Sequence, residues 1–164
     1  MKAKIVIVDE KDNIVGHKNR ELVKHEDIYR VSALWITNSK EEVLLARRAL
    51  TKSHDPGKWG PAVAGTVDDG EDYWDNILKE AEEEIGLRNI KPQVGPKLRV
   101  SGKHNYFGQW YLLEIDKPID EFIIDRSEVE QIRWFPKEEL LKEIQNSPDD
   151  FLETMKRYVG LFTK

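Results

Sequence analysis

Apolar positions along this chain fall into short runs and helical stripes, and each kind predicts a different element. Residues 3–8 (AKIVIV) and 31–37 (VSALWIT) are nearly unbroken apolar stretches, which read as buried strands. Between them, residues 9–13 make a turn and residues 14–15 return as a short strand. Residues 16–30 are charged and irregular, a loop with a short helical turn. Asn38-Ser39-Lys40 turns the chain again, and residues 43–46 (VLLA) run back as the next strand. Further on, residues 97–101 and 105–115 alternate well enough for two strands, and residues 129–135 (VEQIRWF) supply a last one. Residues 136–145 form a helix with Leu140, Leu141 and Ile144 inward. Ser147-Pro148-Asp149-Asp150 has the cap, the proline and the first-turn acids of another helix start. Phe151, Met155, Tyr158, Val159 and Phe162 lie on its buried side.

The stretch that organises the rest is residues 65–87, GTVDDGEDYWDNILKEAEEEIGL. On a helix turning about 100° per residue, Trp74, Ile77, Leu78, Ala81 and Ile85 share one arc, and Glu80, Glu83 and Glu84 share the opposite one. Asp72 caps the start, Asp75 answers it from the third helical position, and Gly86 supplies a left-handed stop. A run of charges on a helix is ordinarily a solvated face, yet these charges are badly placed for one. Glu80 and Glu84 repel each other across one turn. Both lie in the C-terminal half, where the helix dipole disfavours each anion by about 0.3–1 kcal/mol near the end. Only Lys79 offers local relief. A divalent cation is the partner that accounts for them, because hard ions such as Mg²⁺ take carboxylate oxygens and share their other positions with water and phosphate.

The same residues resemble the Nudix box. Gly65, then Glu71 after five residues, then after seven more Lys79-Glu80-Ala81-Glu82-Glu83-Glu84-Ile85-Gly86-Leu87 meet every fixed position of that pattern except one, where Lys79 stands for Arg. The likeness continues in Pro56-Gly57-Lys58-Trp59 ahead of Gly65, and in Glu128-Val129 with Trp134-Phe135 before a helix. It covers most of the chain and is weakest over the first 30 residues. Strands interspersed with helices imply an α/β fold, a mixed sheet with helices on its sides. The resemblance sharpens this to a Nudix-type α/β/α sandwich, one domain over residues 1–164 with the box at 65–87.

Composition changes the picture in a few places. Hydrophobic residues make up 39% and charged residues 35%, ordinary for a globular protein. A formal net charge of −5 argues against general nucleic-acid binding, and it means that an anionic substrate needs a local basic cluster. Cysteine is absent, which excludes disulfides, thiolate metal sites and cysteine nucleophiles. No apolar run approaches the ~18 residues of a membrane span, and the start, MKAKIVIVD, lacks a signal-peptide core. The cytoplasm is therefore the expected compartment, with no membrane partner.

Arg47, Arg48 and Lys52 gather three cations where a strand gives way to a loop. Alone they would read as a solvated strand end; ahead of a metal-binding element they read as a contact for substrate phosphate. Tyr106, Phe107, Trp110 and Tyr111 read first as core and cross-strand packing, and second as a stacking surface for a flat substrate group. Trp59 reads as packing. His17, His25, His54 and His104 form no metal-spaced pair, and of these His54 lies nearest the basic cluster.

What the resemblance implies is a reaction. Nudix enzymes hydrolyse a nucleoside diphosphate linked to another group: water attacks one phosphorus and a phosphate oxygen leaves. Carried over position by position, Glu80 and Glu84 are metal ligands with Glu83 beside them, and the Gly65 carbonyl completes the set. The cofactor is Mg²⁺, or Mn²⁺ in its place. Glu71 stands behind, holding the box together or orienting the ligands through water. Lys79 holds its glutamate less rigidly than Arg would. The general base is one of the helix glutamates, Glu80 first, or a carboxylate elsewhere. The partner is a small diphosphate, and the oligomeric state stays open.

Within the family, Arg47-Arg48-Ala49-Leu50-Thr51-Lys52 also resembles type 1 isopentenyl-diphosphate isomerase. The cysteine of that enzyme matches Ala64 here, and its metal histidines match Thr66 and Tyr29. With those groups missing and the box glutamates complete, this likeness implies shared ancestry and a diphosphate grip by Arg48 and Lys52. The remaining alternative is a Nudix-fold module that binds a nucleotide without turnover.

Overall fold

The computed structural model describes residues 3–163. In chain order the strands are β1 (Ile5–Val8), β2 (Ile14–Lys18), β3 (Ile28–Thr37), β4 (Glu42–Arg48), β5 (Trp59–Pro61), β6 (Val63–Thr66), β7 (Gln93–Val100), β8 (Tyr106–Glu114) and β9 (Val129–Pro136). The helices are α1 (Tyr73–Ile85), α2 (Lys137–Asn146) and α3 (Met155–Phe162).

Two strands determine the layering because they are apolar on both faces. On β3, Ala33 and Trp35 point to one side and Leu34 and Ile36 to the other; on β4, Val43 and Leu45 oppose Leu44 and Ala46. Strands of that pattern need cover above and below. α1 supplies it on one face, packing Ile77, Ala81 and Ile85 onto Leu34, Ile36, Leu44 and Ala46. α2 and α3 supply it on the other, packing Leu140, Ile144, Met155, Tyr158 and Val159 against Ala33, Trp35, Val43, Leu45 and Trp110. The α/β/α layering expected from the sequence is what forms.

The nine strands make one mixed sheet. β3 runs parallel to β8 from Tyr29 opposite Tyr106 to Thr37 opposite Glu114. Its other edge is shared in turn by β1, β6 and β4, all antiparallel. The β6 pairing matters most here: Ser32 lies opposite Gly65 and Ala33 opposite Ala64. No helix among the described residues is long and apolar enough to cross a membrane.

Several elements depart from the sequence reading. β3 starts at Ile28 rather than 31, because Tyr29 and Arg30 continue the ladder opposite Tyr106 and Phe107 in spite of their polarity. β7 starts at Gln93 rather than 97. Gly95 and Pro96 break the alternation, and a register shift between Val94 and Lys97 absorbs them. The helix start expected at Ser147 is a single 3₁₀ turn, Pro148–Asp150, in which the Ser147 side chain caps nothing. Phe151 instead bridges to Trp59 at the sheet, Leu152 N–H donates to the Trp59 carbonyl at 2.9 Å, and α3 begins only at Met155. Leu141 is 44% exposed where burial was expected. The aromatic stripe divides between layers: Trp110 stands against Tyr158 and Phe162, and Tyr111 joins the α1 side, as the packing reading required. Trp59 packs edge-on against Phe135.

Candidate active site

α1 is fixed at both ends by its own sequence. The Asp75 N–H donates to the Asp72 carboxylate at 2.8 Å, which satisfies one of the donors left free at a helix start. Gly86 ends the helix at φ 72°. The arc read in sequence holds at Ile77, Ala81 and Ile85, all fully buried, and at Leu78, which packs against the same core; it departs at Trp74. Trp74 is 38% exposed and meets Tyr111 at its edge, while Asn76 is fully buried. Asn76, Glu80 and Glu84, spaced four residues apart, therefore form a stripe turned toward β6 and the loops beyond it. Glu80 and Glu84 are shielded and Glu83 is exposed, so two of the three glutamates depart from a solvated face.

The Glu80 and Glu84 side chains lie close enough for each carboxyl to act on the other. Burial drives the Glu84 carboxyl up, the neighbouring Glu80 and Glu128 push the same way, Lys52 opposes them, and the group comes to about 9. Glu80 is raised as well, by burial first, against the lowering influence of Glu84 and Lys79. Two carboxyls so placed share a proton rather than both ionising. Beside them the backbone comes close at Gly65: a Cβ there would lie 2.6 Å from Glu80 Cγ, so only glycine permits the approach.

Behind this pair lies a second group of charges. The Lys79 ammonium pairs with Glu71 Oε1, with Asp68 Oδ2 at 3.1 Å, and reaches Glu80 Oε1 at 3.8 Å. Glu71 Oε2 accepts from Asn76 Nδ2 at 2.9 Å and from the Asp68 N–H at 3.2 Å. Burial would push the Glu71 carboxyl up, but the donors together hold it below the usual carboxylate range. The box residues Glu71, Lys79, Glu80 and Glu84 are thus brought together with Gly65. Glu83 is exposed, near enough for its charge to act on Glu80, and lines an open cleft of about 560 Å³ with Arg88, Ile123 and Asp125. Among the described residues, no three His, Asp or Glu side chains converge into a ready-made ion cluster.

Arg47 and Arg48 end β4, and Lys52 lies in the loop that follows. Arg47 Nε donates to the Gly57 carbonyl at 2.9 Å and Arg48 Nε to the His54 carbonyl at 3.0 Å, so both arginines brace the loop. Lys52 pairs with Glu128 at 2.6 Å, and this pair is close enough to act on Glu84. The histidines have local partners: His17 meets Asp69 at 3.0 Å, His25 meets the Gly102 carbonyl at 2.7 Å, and the rings of His54 and His104 lie 6.4 Å apart. Ala64 is exposed on β6 next to Gly65.

Sequence reasoning missed Asn76, Asp68 and Glu128 as members of this assembly. Glu128 had a signal, since it opens the Glu-Val run noted before β9. Asn76 had a weaker one, an amide next to an apolar arc. Asp68 had none, because only the fold carries its loop to Lys79.

A model of the NUDIX domain family matches residues 28–155. The chain is 24% identical over 155 residues to an uncharacterized Nudix hydrolase of Yersinia pestis, covering 91% of this chain and 81% of that one. It is 31% identical over 107 residues to isopentenyl-diphosphate delta-isomerase 1 of Photorhabdus laumondii, covering 63% of this chain and 61% of that one. Among solved structures, DR0079 from Deinococcus radiodurans superposes with a TM-score of 0.83 at 23% identity, covering 98% of this chain and 99% of that one, a likeness of fold.

Proposed function

The chain belongs to the Nudix family and is a Nudix hydrolase, and from that premise we propose that it hydrolyses the diphosphate linkage of a nucleoside diphosphate derivative or a related small diphosphate, using Mg²⁺ or Mn²⁺. The observation that carries this reading is the shielded Glu80–Glu84 pair lying against Gly65. Paired carboxylates and a nearby backbone carbonyl are hard oxygen donors, and a divalent cation can replace the proton that the two acids share. The residues fit the ion.

Glu80 and Glu84 would hold that ion with the Gly65 carbonyl, and Glu83 would join them by turning in from the helix surface. The ion supplies neutralisation of phosphate charge and activation of water. Glu71 and Lys79 keep Glu80 from swinging away, since Lys79 reaches both. Arg47, Arg48 and Lys52 meet the phosphates, Lys52 with the shortest path because its Glu128 partner stands near Glu84. Glu80 is the first candidate for the general base.

Isomerase chemistry needs an acid or base that moves a proton on carbon. Ala64, Thr66 and Tyr29 occupy the positions where the isomerase resemblance would put its cysteine and histidines, and Ala64 offers only a methyl group. One assay separates the readings. The protein is incubated with Mg²⁺ or Mn²⁺ and nucleoside diphosphates, triphosphates, sugar nucleotides, dinucleotides and isopentenyl diphosphate, alongside Glu84→Gln. Phosphate-ester products that vanish in the variant are expected. Tight binding with no product across the whole panel would establish a binding module instead, and rearrangement of isopentenyl diphosphate with its diphosphate intact an isomerase.

A further inference from the structure

Asn76 is a polar side chain with no solvent exposure, one turn before Glu80 on α1. An amide buried that deeply is costly unless its atoms are bonded, and here they are. Nδ2 donates to Glu71 Oε2 at 2.9 Å and to the Thr66 carbonyl at 3.1 Å, and Oδ1 accepts from the equally buried Ser32 hydroxyl. Three parts of the fold therefore meet at one side chain: β3 through Ser32, β6 through Thr66, and the turn before α1 through Glu71. Ser32 also lies opposite Gly65 in the β3–β6 ladder.

Lys79 explains why such a side chain is useful. Its single nitrogen is divided among Glu71 Oε1, Asp68 and Glu80. A guanidinium fork could grip both oxygens of Glu71, whereas an ammonium is a point charge. The second oxygen of Glu71 is held by Asn76 and the Asp68 N–H instead. We infer that Asn76 is a positioning residue that supplies, with Ser32 behind it, the hydrogen bond to Glu71 that Lys79 cannot make, and so fixes Glu71 and the Gly65–Thr66 backbone against Glu80. The consequence for ion binding rests on the reading of Glu80 and Glu84 given above; the clamp on Glu71 does not.

The test uses the native chain, Asn76→Ala, Lys79→Arg and the double variant. In chelator, urea unfolding gives the metal-free coupling. Asn76→Ala is expected to raise the unfolding equilibrium constant roughly fivefold more beside Lys79 than in the Lys79→Arg background. Strict additivity would overturn the inference whether or not the protein binds an ion. Calorimetry with Mn²⁺ then reads positioning: Asn76→Ala weakens binding about 10–100-fold, and the double variant regains most of it. Turnover should fall through kcat with KM nearly unchanged. Native Mn²⁺ affinity in folded Asn76→Ala would reduce Asn76 to a packing role and overturn the proposal. If the native chain itself takes up no Mn²⁺, the ion-binding reading fails separately, and the metal-free cycle still decides the clamp. Should Asn76→Ala not fold, Ser32→Ala removes only the bond that orients the amide and is expected to show the same pattern at smaller size.

Discussion

Glu80 and Glu84 face each other one turn apart on α1, and burial together with the Glu80 charge pushes the Glu84 carboxyl up to about 9, so the pair holds a proton at neutral pH. Replacing Glu84 by Gln thus changes little that the ion-free fold senses at neutral pH, since the amide mimics the protonated acid. Stability without metal should stay within about 0.5 kcal/mol of native. The response to metal should disappear. Native protein at an Mn²⁺ concentration about a hundredfold above Kd gains roughly 2.7 kcal/mol from binding, and Glu84→Gln gains almost none. Urea titrations with and without Mn²⁺ read both quantities. An equal ion response in the two proteins would remove Glu84 from the site.

Gly65→Ala probes the same place from the strand side. Its Cβ would stand 2.6 Å from Glu80 Cγ and 2.7 Å from Cδ. The added methyl forces Glu80 outward at the cost of its long 3.8 Å contact with Lys79, so the loss of stability should stay near 1 kcal/mol, at the low end for an added methyl. The catalytic loss should be larger, about 100-fold in kcat, because a carboxylate displaced by about 1 Å no longer serves a fixed geometry. Full activity would show that Glu80 need not occupy its present position.

The layered fold and the ends of α1 were legible in the sequence for local reasons. Asp72 and Gly86 act within one turn of where they stand, and the apolar runs in β3 and β4 announce two-sided burial. What escaped was long-range or depended on rotation. The helical arc was right for Ile77, Ala81 and Ile85 but not for Trp74, and it gave no sign that Asn76, on another side of the helix, would be buried by partners from three elements, Ser32, Thr66 and Glu71. The run Arg47, Arg48 and Lys52 looked like one cluster, but each side chain found a different acceptor: Gly57, His54 and Glu128. Ser147 carried every mark of a helix start, yet the pairing of Phe151 with Trp59 overrode it.

Lys52 can be separated from the arginines by kinetics. Its pair with Glu128 is partly exposed, 28% and 44% at the two side chains, and pairs of that kind contribute about 0–1 kcal/mol. Lys52→Ala should therefore leave the unfolding midpoint nearly unchanged. If Lys52 grips a substrate phosphate equally in the ground and transition states, KM rises about tenfold with kcat little altered. An unchanged KM would confine Lys52 to pairing with Glu128.

Asp12 makes stability depend on acid pH away from the glutamates. It sits at φ 63° in the β1–β2 turn and binds Arg30 Nε at 2.8 Å, Lys97 Nζ at 2.7 Å and the Tyr73 hydroxyl at 2.9 Å. Burial alone would raise its carboxyl, but these donors outweigh it and hold the group below its ordinary value of 3.8. A carboxyl depressed in the folded state binds fewer protons there than in the unfolded chain. Its stabilising contribution is complete above pH 3.8 and is lost as pH falls through the lower folded value. Asp12→Asn isolates the charge, because Asn tolerates the left-handed backbone and keeps an acceptor oxygen. The variant should be about 2 kcal/mol less stable at neutral pH, and the gap should close as the pH drops below 3.8. Melting curves of both proteins across that range provide the measurement, and a gap that stays constant into strong acid would mean that the Asp12 charge contributes nothing.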